Sequence, residues 1–501
     1  MDCSQDTTCY GAAFSERFEL HKSGLVLSGP ENQPFGCVRS SFACFLYHVA
    51  NILRNKVIRI SRVRFTAINE SGVPFLDELL KLAKSHRSIR TALLALADRL
   101  RATVYPSSTF DTVDGEQSQP QLWSPKTSAL ESYHDALIGL RENVACLHIA
   151  EASHDVALEV LGSVLLLTIA GFPRNMRAEG SHDWSFHVTG MISLVESLDT
   201  DVTGGTGLGR LVKEMGAHLD IGVFSLGRPG KSRRAWLEWN ICPPGTPCES
   251  DFSSLEVIVG YPKSLLTIIA TMSAVLEDMN LPDCPASLQT LVRKLYDATL
   301  IGQGTGSSVP GPIATPTDDT HVRMLNMLEI VLVLWRPPNL PTRVSIPVAF
   351  ALTSAWEIMR KAALLYLWRG GLCTSVFAPI SYDRKDVTAK YIRETLLGFR
   401  ALLNLVDEQR ITIMNVMTWP LLVVANECGD NPDLQGEILS LLQRMQQCFG
   451  IEHLTHLATL LQELWQRYES YSHSPGTLSS SSNYLHLDNL SREFQLCLPL
   501  L

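Results

Sequence analysis

The sequence predicts an all-α fold: a large array of packed helical hairpins joined by long Gly-, Pro- and Ser-rich loops. Three observations predict it. Apolar residues recur at three- and four-residue spacing through most of the chain. Alternating runs that would mark strands are scarce, and turn-forming residues cluster between the periodic segments. At 501 residues and 46% hydrophobic, the chain has enough apolar material for a large core.

Taken in order, the periodicity first predicts a helix over 74–84. From Ser88, a residue type suited to an N-cap, Ile89, Leu93, Leu96 and Leu100 line one helical face. Leu130, Tyr133, Leu137, Leu140 and Val144 repeat the pattern as an amphipathic helix requires. Asp155 to Gly171 is apolar almost all round and reads as a central, buried helix. Trp184, Val188, Met191, Val195 and Leu198 give the next stripe. Further helices are expected over 262–279, 286–299, 321–335, 345–368, 386–407, 411–427, 434–447 and 453–470. Strand signals are confined to Val57–Val63, where basic and apolar residues alternate, and Phe252–Val259, with its β-branched content. Linkers are expected at Tyr105–Lys126, Thr200–Gly209, Cys242–Ser254, Gly302–Thr320 and Ser472–Ser482. No fixed period recurs, which argues against a regular solenoid.

Composition narrows the function. Lys and Arg number 42 against 51 Asp and Glu, a net charge of −9, so the chain as a whole has no pull toward phosphates. DNA binding would need a local basic module. The densest basic segment carries Arg54, Lys56, Arg59, Arg62 and Arg64, and reads either as a phosphate-contact or import patch or as a solvated surface segment. Lys231, Arg233 and Arg234 form a smaller patch open to the same two readings. The first twenty residues hold Asp2, Asp6, Glu16 and Glu19 and no apolar run, so no secretory signal is expected. The most apolar stretch, Val160 to Phe172, is too short to span a bilayer. The twelve cysteines are scattered and read as reduced thiols.

No motif for catalysis is evident. Gly204, Gly205, Gly207 and Gly209 follow a helical segment and lack G-x-G-x-x-G spacing, so a flexible loop is expected there. His453 and His456 sit at i, i+3, which on a helix can present two imidazoles to a metal, yet no further ligands stand nearby in sequence. His182 and His187 lie five apart around Trp184, off one another's face. Cys242 and Cys248 flank a Pro-Gly-rich loop without the C-x-x-C pairs of a zinc ribbon. No catalytic residue, cofactor or complete metal site is expected.

Four stretches together resemble the fungal-specific transcription factor domain that lies C-terminal to binuclear zinc clusters. They are GVPFLDELLKLAKSHRSIRTALLALADRL at 72–100, ALESYHDALIGLRENV at 129–144, WSFHVTGMISLVES at 184–197, and the pair AALLYLWR at 362–369 with TWPLLVVANEC at 418–428. Pro420 suits the first turn of a helix, where its missing N–H is not needed, and Gly190 is read as a point of close helix approach. Where such factors carry six cysteines holding two zinc ions, this chain has only Cys3 and Cys9, which are candidate remnants and too few for a binuclear cluster.

The resemblance implies a linker over 1–39, a helical regulatory domain over 40–475 and a tail over 476–501. It also implies a nuclear, or alternatively cytoplasmic, transcription regulator, tied to a metabolic or secondary-metabolite gene set. Such a regulator would work through other transcription regulators or a homodimer partner, reach DNA only indirectly, and have room for a small-molecule effector between helices. The alternative is an enzyme or small-molecule-binding protein that reuses the helical scaffold. Because no four-ligand set has workable spacing, the chain purified without chelator is expected to carry no stoichiometric zinc. Elemental analysis checks this, and a zinc content matching the protein would redirect attention to Cys3, Cys9, Cys242, Cys248 and the His453/His456 pair.

Overall fold

A computed structural model describes residues 74–104, 125–147, 154–170, 183–198, 203–204, 207–245, 253–278, 285–302, 320–341, 344–372, 384–409, 413, 417–449, 453–473 and 486–500. All of them lie in one unit, residues 53–501. The fold is all-α. Among the described residues the only strands are β1 (Ser225–Leu226) and β2 (Leu498–Pro499), an antiparallel pair with Ser225 opposite Pro499.

The first group of helices is α1 (Pro74–Ser85), α2 (Arg87–Val104), α3 (Pro125–Leu147) and α4 (His154–Ala170). Helix α4 is the buried element its composition predicts, with Val160, Leu161, Val164, Leu165 and Leu167 all at 3% exposure or less. Gly162 lets α1 and α2 close on it, since a Cβ there would stand 3.1 Å from Leu79 and 3.3 Å from Ile89. Ser88 is not the N-cap of α2. It lies inside the helix, and its N–H and Oγ both donate to Glu159 Oε1 of α4, at 3.0 and 2.7 Å. A carboxylate from another helix thus satisfies a first-turn donor that the sequence assigns to a local cap.

Helix α5 (Asp183–Ser197) packs on α4, and α6 (Gly207–Leu219) packs on α1, α4 and α5. Helix α6 corrects two expectations: the Thr200–Gly209 linker stops short of its end, and Gly207 and Gly209 are helical rather than part of a flexible loop. Leu208, Leu211, Val212, Met215 and Leu219 are buried at helical spacing, a stripe masked in sequence by the glycines that open it. After β1 come a short helix α7 (Ala235–Glu238) and α8 (Ser254–Val259). The strand signal at Phe252–Val259 gives way to helix α8, because Ser253 and Glu256 form a capping box and Gly260 ends the turn at φ 72°. The other strand signal, Val57–Val63, lies outside the described residues.

The second group contains α9 (Lys263–Glu277), α10 (Ala286–Gly302), α11 (Thr320–Leu334), α12 (Ile346–Arg369), α13 (Lys385–Gln409), α14 (Thr418–Asn426), α15 (Pro432–Phe449), α16 (His453–His473) and α17 (Leu487–Glu493). Sequential neighbours pack as hairpins, α10 on α11, α12 on α13 and α15 on α16. The helix expected from 411 begins at Thr418, with Pro420 in its first turn and every residue through Asn426 buried.

Residues 486–500, part of the segment that the sequence sets apart as a tail, pack into the core. Leu487, Leu490, Cys497, Leu498 and Leu500 are at most 1% exposed, and each buried leucine contributes ~1.5–3 kcal/mol relative to solvent. Leu500 N–H donates to Phe224 O at 2.9 Å, and Leu500 O accepts from Trp419 N–H at 3.0 Å.

The ends of α12 and α14 are clamped by Arg369 and Glu427, a bidentate pair with contacts of 2.6–2.8 Å and side chains 7% and 2% exposed. Removing one partner leaves the other charge buried and unpaired. Glu427→Leu is therefore expected to lower unfolding free energy by ~3–5 kcal/mol, with Arg369→Met/Glu427→Leu recovering most of the loss. Urea unfolding of the two variants measures both effects.

Candidate functional site

Several of the residues that carry the family resemblance meet in space. Tyr133 on α3 and His187 on α5 share a 2.6 Å hydrogen bond between the phenol oxygen and Nε2. Trp184 donates its indole N–H to Cys497 O at 3.0 Å. Trp419 is fully buried, edge-on to Phe224 with ring centres 5.6 Å apart. Gly190 is not a point of close approach, because a Cβ there would meet nothing within 4 Å.

The densest chemistry among the described residues lies where α6 ends and the segment 220–235 folds back on α9. Asp220 directly follows the buried stripe of α6 and is fully buried itself. Its carboxylate accepts from Arg228 Nη2 at 2.8 Å, Ser232 Oγ at 3.1 Å, Arg233 N–H at 3.2 Å and Ala235 N–H at 3.1 Å. One side chain therefore fixes the whole excursion and receives the first N–H of α7. Arg234 adopts a left-handed backbone, φ 58°, rare for a residue with a Cβ. This turn aims its guanidinium at Asp278 Oδ1, 2.6 Å away.

Glu277, on the last turn of α9, faces Gly222 so closely that a Cβ on Gly222 would overlap Glu277 Oε1. Ser273 Oγ donates to the same oxygen at 3.4 Å, while Glu277 Oε2 is buried without a hydrogen-bond partner. Burial raises the pKa of Glu277; Arg234 and Arg228 oppose that rise, while Asp220 and Asp278 reinforce it. Asp220, Ser232, Arg234, Ser273 and Glu277 line a cavity of about 10 Å³, room for about one water molecule. Nearby His218 is wholly buried against Phe224 and Trp236, and burial pushes its pKa down to about 3, so the ring is neutral.

This arrangement is an electrostatic brace. Ser232 donates to a carboxylate that Arg228 and two backbone N–H groups already hold. Gly230-Lys231-Ser232 follows a strand as in a phosphate-binding loop, but Ser225 replaces the leading glycine and Ser232 is engaged by Asp220. Among the described residues no three His, Cys, Asp or Glu side chains are grouped to hold a metal.

The site residues expected from sequence are scattered. Cys3, Cys9, Arg54, Lys56, Arg59, Arg62 and Arg64 lie outside the described residues, as do His182, Gly205 and Cys248. Cys242 is half-buried and in no disulfide. His453 is buried at the start of α16, and burial lowers its pKa to about 4, so it is neutral beside His456. Two of the three residues in the smaller basic patch turn to acidic partners: Arg233 to Glu196 at 3.2 Å and Arg234 to Asp278. Sequence reasoning missed Asp220, Glu277 and Asp278. Their signal is a carboxylate set directly against apolar runs, Leu219-Asp220-Ile221 and Val275-Leu276-Glu277-Asp278.

The raised pKa of Glu277 fixes the sign of a pH effect. Above the unfolded value of 4.5, the folded chain holds this proton more tightly than the unfolded chain does, so the group lowers stability as pH rises through its folded pKa. Glu277→Gln is expected to raise the denaturation midpoint near neutrality and to flatten the loss of stability as pH rises above 4.5. A variant less stable than the parent at the alkaline end would contradict this. Asp220→Ala, which strands Arg228, is expected to cost ~3–5 kcal/mol in the same measurement.

The chain matches the family model of the fungal specific transcription factor domain over residues 55–476. No curated protein and no solved structure matches it. Among the described residues no helix is long and apolar enough to cross a membrane. The Tyr133–His187 bond, the Asp220 brace and the Arg369–Glu427 clamp all lie within the matched span. With most of its length matched and a helical body across the described residues, the chain belongs to the fungal specific transcription factor domain family.

Proposed function

We propose that this chain regulates transcription in the nucleus through protein–protein contacts, without binding DNA on its own and without catalysis. The family match over residues 55–476 carries the reading. Net charge supports it: at −9 the chain repels phosphate overall. The buried carboxylates of Asp220 and Asp278 support it too, being paired with arginines rather than presented to a substrate. We place the regulatory domain at 40–475, with 1–39 as a linker carrying Cys3 and Cys9, and join residues 486–500 of the segment 476–501 to the domain's core. The partners are other transcription regulators or a second copy of the chain. The regulated genes are a metabolic or secondary-metabolite biosynthetic set. The cavity beside Asp220 is too small for an organic effector, which would need hundreds of Å³.

A binding assay with promoter fragments and competitor DNA, at low and physiological salt, tests this. The chain alone should form no specific complex at physiological salt, while an intact zinc-cluster partner should recruit it. Sequence-specific retention by the chain alone would overturn the reading and point to Arg54, Lys56, Arg59, Arg62 and Arg64 as the missed element.

A further inference from the structure

Residues 486–500 behave as an arm seated in a groove built by distant parts of the chain. Cys497 O accepts from the Trp184 indole across 313 positions, and Gly227 N–H donates to Asp488 Oδ1 across 261. Leu487 N–H reaches Leu372 O, and β2 pairs with β1. Most of these contacts use main-chain atoms, the recognition mode of a strand added to an exposed edge. Without the arm, the Trp184 indole N–H, Phe224 O and Trp419 N–H lose the partners seen here, so the groove is incomplete on its own.

The arm is also a unit in itself. Ser491 Oγ and Leu496 O close a 2.9 Å bond, Leu496 N–H returns to Ser491 O at 2.8 Å, and Gln495 turns the chain at φ 55°. It follows residues 474–485, SPGTLSSSSNYL, a linker by composition that reaches about 40 Å at full extension. The family match ends at residue 476, before the arm begins.

We propose that the arm is exchangeable: the groove of one copy takes residues 486–500 of a second copy, giving a reciprocal dimer. Each contact made within one chain is remade between two, so the closed monomer and exchanged dimer differ in linker path and in the concentration cost of association. The pair Arg467–Glu493, at 2.8 Å, transfers with the rest. This deepens the partner-mediated reading by supplying the contact for a second copy.

The register supplies the test. Ser225 and Pro499 are opposite one another in the β1–β2 pair. Full-length S225C and P499C chains, differently tagged and coexpressed, should form a disulfide-linked heterodimer, while the dilute double variant S225C/P499C closes on itself. Independently, deleting residues 474–485 from the full chain removes the slack between His473 and the arm, and should raise the dimer fraction about tenfold at equal concentration, because closure within one chain fails once the linker cannot span to its site. Sedimentation reads the mass. A deletion chain that stays monomeric overturns the proposal, as does a dimer that never yields the heterodimeric disulfide while the double variant cross-links. Either failure leaves the transcriptional reading to stand or fall on the promoter assay.

Discussion

Leu500 makes the contact on which the architecture turns. Its N–H donates to Phe224 O, just before β1, and its carbonyl accepts from Trp419 N–H at the start of α14. A helical array satisfies most backbone groups within each helix, but helix starts and connecting segments leave donors and acceptors over. Where such leftovers are buried they need a partner from elsewhere. Here one extended residue serves the segment after α6 and the first turn of α14 at once. Trp184, Phe224 and Trp419, each at most 1% exposed, gather around this junction and keep it dry.

The Asp220 brace lies next in line. Phe224 and β1 can meet the arm only if the chain leaving α6 is held in one path, and four hydrogen bonds to one carboxylate hold it. Such a hub in low dielectric is strong when complete and costly when broken. Glu277 is the exception within it: burial raises its pKa, and its Oε2 has no partner. The brace, the Gly222 approach and the left-handed turn at Arg234 form one feature, since each fixes the position of the next.

For a regulatory domain this construction has a consequence. Asp220, Asp278 and Glu427 tie separate segments together through arginines, and a helical body braced in this way is suited to presenting surfaces to partners. The arm belongs to the same logic, because it completes the body from outside the family-matched span.

The sequence by itself determined the helices with strong amphipathic or all-apolar patterns, α4 above all, and the helical class. It also carried the family, through ordered stretches whose Tyr133 and His187 join two helices and whose Trp184 and Trp419 meet the arm and Phe224. The period of a helix is local, so a single segment displays it. Tertiary structure alone decided the rest. Glycines hid the start of α6, and β-branched residues suggested a strand where Ser253 and Glu256 cap a helix. Ser88 takes Glu159 from another helix, and Arg233 and Arg234 turn to acids 37 and 44 positions away. Asp220 and Glu277 show only a carboxylate set against an apolar run, which does not say what each will meet. The arm's partners lie far along the chain, and spacing within one segment carries no record of which distant donor a buried acceptor will meet.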